Sequence, residues 1–209
     1  MKLKTLFTLL FLTLLSSCYS EKCNCLLDDE ILKENIESFK EIEKSEWNEL
    51  RVENYKTFKT DTYRLTIYPT WMDAEISEYK LENGWGDPKI SINRYERILD
   101  GEKTHLKKIG QTEEISLSEN DWNQFDNLVT EQCFWTMPIR SKNQYLDRTS
   151  WILEVKKEKT NSCSNRDYHI VSRGAESPEY FELCDRLLKL GNSSQKEQDS
   201  LLYESWTSD

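Results

Sequence analysis

Glycine, proline and histidine are scarce in this chain, at six, four and two residues among 209. So little glycine excludes the phosphate-cradling loop and the dinucleotide-binding fingerprint, which need several glycines at fixed spacing for the backbone to approach a phosphate. No His-Glu-x-x-His zinc motif and no Gly-x-Ser-x-Gly nucleophile elbow occurs. Positive charge is also in deficit, with 28 Lys and Arg against 38 Asp and Glu, a net charge of −10. A body of that sign gains nothing from the phosphates of nucleic acid, so no nucleic-acid partner is expected. No apolar run reaches the roughly 20 residues that cross a bilayer as a helix.

What is present begins at the N-terminus. Lys2 and Lys4 precede a largely apolar stretch from Leu6 to Leu15, followed by Ser16, Ser17 and Cys18. Ten residues make only about 15 Å of helix, half of what a bilayer core needs. The order of positive, apolar and small residues is that of an export signal that is cut away. Leu15-Ser16-Ser17-Cys18 resembles the lipobox of bacterial lipoproteins, in which cleavage before the cysteine leaves it carrying diacylglycerol and an amide-linked acyl chain. The resemblance implies lipidation at Cys18, residues 1–17 as the removed signal, and the lipid bilayer as a partner. It also implies the cell envelope as location, with the outer membrane expected because Tyr19 is not the aspartate of inner-membrane retention. Ser20-Glu21 matches part of the surface-export signal of Bacteroidota lipoproteins, and Lys22 interrupts it.

With residues 1–17 gone, 192 residues remain, enough for one domain with a sizeable core. Loss of Lys2 and Lys4 leaves 26 basic against 38 acidic residues, or −12. Five cysteines stay after Cys18. Export would place them where disulfides persist. A bridge between Cys23 and Cys25 would be strained, which leaves pairing with another segment open. Cys133 and Cys184 fall on apolar faces of helical patterns and are expected to be buried and inert. Cys163 sits in a polar turn, free or pairing. Cys23-x-Cys25 has no histidine nearby, so no metal and no cofactor is expected.

Residues 18–27 read as a tether, at most about 30 Å long. From Asp28 to about Leu50 an amphipathic helix is expected, on Ile31, Leu32, Ile36, Phe39, Ile42 and Trp47. Four strands follow, around Tyr63–Tyr68, Ala74–Leu81, Ile90–Leu99 and Leu106–Leu117, divided by the turns Asn83–Pro88 and Asp100-Gly101. Ser118 to Asp121 is a capping-box pattern opening a helix with Trp122, Phe125, Leu128 and Val129 on one face. Strands at about 149–157 and 166–173 precede a last helix, with Ser177 and Pro178 at its start and Gly191 as its stop. Residues 192–209 read as a polar tail. Strands in hairpin order with few helices between them predict an α+β domain over 28–191: an antiparallel sheet with helices packed on one face, preceded by the N-terminal amphipathic helix.

One pair stands out as a candidate site. If Trp151, Leu153, Val155 and Tyr168, Ile170 share one core face, partner numbers across the last hairpin must sum to an odd value. A turn near Ser162 then sets Glu154 opposite His169, a carboxylate beside an imidazole as in general-base catalysis. The same pair suits a solvated strand face, where opposite charges across an antiparallel pair are common stabilisers, and that structural reading is preferred. His105 reads as a surface histidine. Tyr63-Arg64-Leu65, Phe134-Trp135-Thr136-Met137-Pro138, Trp151-Ile152-Leu153-Glu154 and Tyr168-His169-Ile170-Val171-Ser172-Arg173 resemble a family of uncharacterised bacterial proteins over residues 60–190. That resemblance implies a shared architecture and no chemistry. The expected function is a membrane-anchored envelope lipoprotein that binds or supports an envelope protein partner. An inhibitor or immunity protein against a basic toxin or enzyme is the alternative, and a hydrolase using Glu154 and His169 a further one.

Overall fold

The computed structural model describes residues 25, 29–44, 58–69, 74–84, 86–101, 103–140, 149–161, 166–173 and 177–192. Cys18, Cys23, Cys163, the leader and residues 193–209 lie outside the described residues. Six strands form one antiparallel sheet: β1 (Asp61–Tyr68), β2 (Ile76–Asn83), β3 (Lys89–Asp100), β4 (Lys103–Ser116), β5 (Ser150–Asn161) and β6 (Arg166–Arg173). Their order across the sheet is β4-β3-β2-β1-β5-β6. The first four make a meander, and the β3–β4 hairpin closes at Gly101, whose φ of 65° costs a glycine little. Helix α2 (Glu119–Glu131) then carries the chain over one face, so that β5 enters beside β1.

Alternation along the strands selects what meets the helices. Tyr63, Leu65 and Ile67 of β1, Leu81 of β2, Ile90 of β3 and Trp151, Leu153 and Val155 of β5 are almost wholly buried. They pack with Trp122, Phe125 and Val129 of α2 and with Tyr180, Leu183, Leu187 and Leu188 of α3 (Pro178–Leu190). The fold is α+β, with an antiparallel sheet and two helices on one face, and it matches the sequence-based expectation. The expected caps form as well. Ser118 accepts from the Asp121 N–H while Asp121 reaches back to Ser118, and Ser177 caps α3 ahead of Pro178. Gly191 ends α3 against Tyr79, where a Cβ would come within 2.9 Å of the ring. The buried Tyr180 hydroxyl stitches β5 to β6, lying 2.7 Å from Trp151 O and 3.0 Å from Val171 O and accepting from Leu153 N–H at 3.1 Å.

Helix α1 (Asp29–Lys44) is tied down by one buried polar residue. The Asn35 amide donates to Met137 O at 3.0 Å and accepts from Ile139 N–H at 2.8 Å, as a strand neighbour would. A second tie corrects the reading of Cys133. Helix α2 ends at Glu131, and Cys133 sits beyond it at a left-handed φ of 54°, bonded to Cys25 across 108 residues of chain. It is therefore a staple and not an inert core thiol. Cys184 is buried in the core beneath the helices, as expected.

Candidate functional site

The register of the β5–β6 hairpin overturns the expected pairing. Trp151 faces Arg173, Leu153 faces Val171, Glu154 faces Ile170 and Val155 faces His169, so partner numbers sum to an even value. Glu154 and His169 consequently project from opposite faces of the sheet and cannot act on one proton. The expectation failed because both faces are buried. Tyr168 and Ile170 join Ile139 and Ile152 in a second, smaller apolar cluster on the face away from α2 and α3. Burial on both faces, with Ile152 and Ile170 on one and Leu153 and Val171 on the other, removes the contrast that reports which side a strand buries.

Each member of the abandoned pair has its own partners. His169 is 2% exposed on the helix face. Its Nε2 lies 3.0 Å from Met137 O, and since a carbonyl only accepts, that nitrogen carries the proton. Phe134 packs edge-on to the imidazole at 5.2 Å and Trp135 stacks at 6.4 Å. The short 3-10 turn Phe134–Thr136 thus brings its aromatics, and the carbonyl that follows, onto His169. The ring locks this turn to β6.

Glu154 belongs to a buried charged network on the other face. Arg64, directly opposite on β1, donates from Nε to Glu154 Oε2 at 2.8 Å and forms an ion pair with the same oxygen through Nη2 at 2.6 Å. Tyr168 donates its hydroxyl to Oε1 at 2.6 Å. On the other flank Glu78 of β2 lies 3.8 Å from Arg64 Nη1 and accepts from Asn93 at 2.9 Å and from the Tyr95 hydroxyl at 3.3 Å. Phe58 covers the group, with the Arg64 guanidinium 4.8 Å and the Lys80 ammonium 5.0 Å from its ring centre. Burial pushes the Arg64 pKa down, but Glu154 and Glu78 outweigh it and the net shift is upward. Arg64 stays charged throughout. Sequence reading passed over Arg64 because it occupies an alternate position of an ordinary amphipathic strand, where an arginine normally reaches water.

Beyond this network the same face opens into a polar depression of about 420 Å³, floored by Glu78, Lys80, Ser91 and Asn93 and rimmed by Lys89 and Glu114. Its groups pair among themselves: Lys89 with Glu114 at 2.8 Å, Lys80 with Glu82 at 2.9 Å, and Thr112 with Asn93 at 2.9 Å. A third polar cluster lies at the α2 edge. There Lys157 contacts Asp126 at 2.5 Å and Asp61 at 3.2 Å and sits over the rings of Tyr63 and Trp122. Tyr63 donates to Asp126, and burial first, then that carboxylate, holds its hydroxyl well above the usual tyrosine range. His105 projects from β4 into solvent, as expected.

What these arrangements do chemically is bind one another. Among the described residues no three His, Cys, Asp or Glu side chains converge as a metal site, and no helix is long and apolar enough to cross a membrane. The fold and its internally paired polar clusters define a disulfide-stapled α+β domain. No family model matches the chain, and no curated protein or solved structure matches it either.

Proposed function

We propose that the protein is a lipid-anchored lipoprotein of the cell envelope, attached to the bilayer through acylated Cys18, whose acidic domain binds or supports an envelope protein and does no chemistry of its own. The observation that carries this reading is the stretch from Lys2 to Cys18, a charged start, ten largely apolar residues, two serines and a cysteine in that order. The Cys25–Cys133 bridge supports it, since disulfides persist in the oxidising compartments beyond the inner membrane. The burial and separation of Glu154 and His169 count against a hydrolase. Intact-mass measurement on protein extracted from its host's membranes tests the reading. The expected species lacks residues 1–17 and carries added acyl mass, whereas one beginning at Met1, or without acyl mass, overturns it.

An inhibitor of a basic toxin or enzyme is the second reading. The observation favouring it is the helix layer, where α2 and α3 carry seven carboxylates, Glu119, Asp121, Asp126, Glu131, Glu179, Glu182 and Asp185, against Arg186 and Lys189 alone. A basic partner held by that layer would dissociate steeply as salt rises.

A further inference from the structure

The bridge between Cys25 and Cys133 puts a fixed point of the fold seven residues after Cys18. Seven residues reach at most about 25 Å at full extension. That fixed point sits on one side of the sheet. Phe134, next to Cys133, packs on His169 of β6, and Ile139 O accepts from Ser172 N–H of β6 at 2.7 Å. The opposite edge, β4, is five strand spacings away, or about 24 Å. From Tyr95, the last β3 residue paired with β2, the β3–β4 hairpin runs on to Asp100, about 17 Å further.

We propose that the Cys25–Cys133 disulfide orients the domain on the bilayer: the corner bearing Cys133 and β6 faces the lipid, and the β4 edge with the hairpin tip faces away. This rests on lipid attachment at Cys18. Without the bridge the first fixed point moves to α1, whose first residue lies eleven residues from Cys18, a reach of about 38 Å. A domain on the longer leash can present either edge. The bridge therefore does more than close a loop, because it decides which surface of the sheet is available to a partner approaching from the aqueous side. Acidity adds to the bias. The carboxylates of α2 and α3 keep the helix layer from lying flat against anionic headgroups, a repulsion that extends over a Debye length of about 8 Å at physiological salt.

Energy transfer to the membrane tests this. The lipidated full chain is bound to phosphatidylethanolamine–phosphatidylglycerol vesicles that carry an acceptor on the headgroup. A fluorescent amino acid replaces either Glu131, exposed beside the Cys133 corner, or Leu99, 63% exposed near the hairpin tip. Transfer from position 131 should exceed that from position 99 by about threefold or more, given the separations above. Inserting ten Gly and Ser residues between Ser20 and Glu21 lengthens the leash to about 60 Å without touching the domain, and should erase the contrast. Cys25→Ser with Cys133→Ser should weaken it. Equal transfer from the two positions in oxidised, vesicle-bound protein, or a contrast that survives the insertion, overturns the inference alone. Protein that fails to float with the vesicles overturns the anchor reading, and this inference with it.

Discussion

Strand β1 serves two faces of one sheet with consecutive residues. Tyr63, Leu65 and Ile67 enter a core built of rings and aliphatic chains beneath α2 and α3, whereas Arg64, one residue out of step, is just as buried among two carboxylates and a tyrosine. Burial is equal and its chemistry is opposite. On the helix face, stability follows apolar area and close packing. On the other, three charges have left water, and their mutual attraction must offset a desolvation cost of several kcal/mol per ion. The first kind of core tolerates a lost methyl in proportion to its size. The second fails abruptly when one member is removed, because the others stay buried without a counter-charge.

Arg64→Met should break the charged face most severely, costing about 3–5 kcal/mol in urea unfolding, since Glu154 and Glu78 lose their cation. Leu65→Ala, next in sequence and on the helix face, costs about 2–5 kcal/mol by leaving a cavity. The two are told apart by a second change. Adding Glu154→Leu to Arg64→Met should recover part of the loss, because Glu154 no longer stays buried without its cation, while Glu78 still lacks Arg64. If the double variant is no better than the single one, the face behaves like an apolar core and the contrast is lost. His169→Ala sharpens the comparison from the helix side. A catalytic surface histidine would be dispensable for folding, but this one fills space against Phe134 and Trp135 and donates to Met137 O. Its loss should cost about 2–3 kcal/mol and lower the melting temperature. An unchanged melting temperature would mean that the ring does not lock the turn to β6.

The same contrast explains what the sequence could disclose. Strands β1 to β4 were legible because the apolar period of two is broken by turn residues such as Asp100-Gly101, and α2 and α3 because Ser118, Asp121, Ser177 and Pro178 mark their starts. The β5–β6 register was not legible. When Ile152 and Ile170 are buried on one face and Leu153 and Val171 on the other, alternation ceases to distinguish in from out, and a shift of one residue sends Glu154 and His169 to opposite sides. Arg64 was hidden for the complementary reason, because nothing local marks an arginine that will meet Glu154 from 90 residues away. The Cys25 bridge was hidden too, since the helical pattern through Val129 extends naturally to Cys133 and only the left-handed turn takes that residue off it.

The smallest expected effect lies outside both buried faces, at the exposed start of α2. Ser118→Ala removes the side chain that accepts from Asp121 N–H, and should cost about 1 kcal/mol near neutral pH. Asp121 adds a pH dependence to this cost. The Ser118 hydroxyl, and after it the Ser118 backbone N–H, hold the Asp121 carboxyl below the ordinary aspartate value of 3.8. A depressed folded-state pKa contributes stability that is present above the unfolded value and is lost as pH falls through the folded one. The cost of Ser118→Ala should therefore shrink below about pH 3.8 but not vanish, since the hydroxyl still accepts from the backbone when Asp121 is protonated. Urea unfolding of Ser118→Ala beside the parent chain, at neutral pH and in acid, checks this. A Ser118→Ala cost that stays constant or grows in acid would show that Asp121 is not held by the cap.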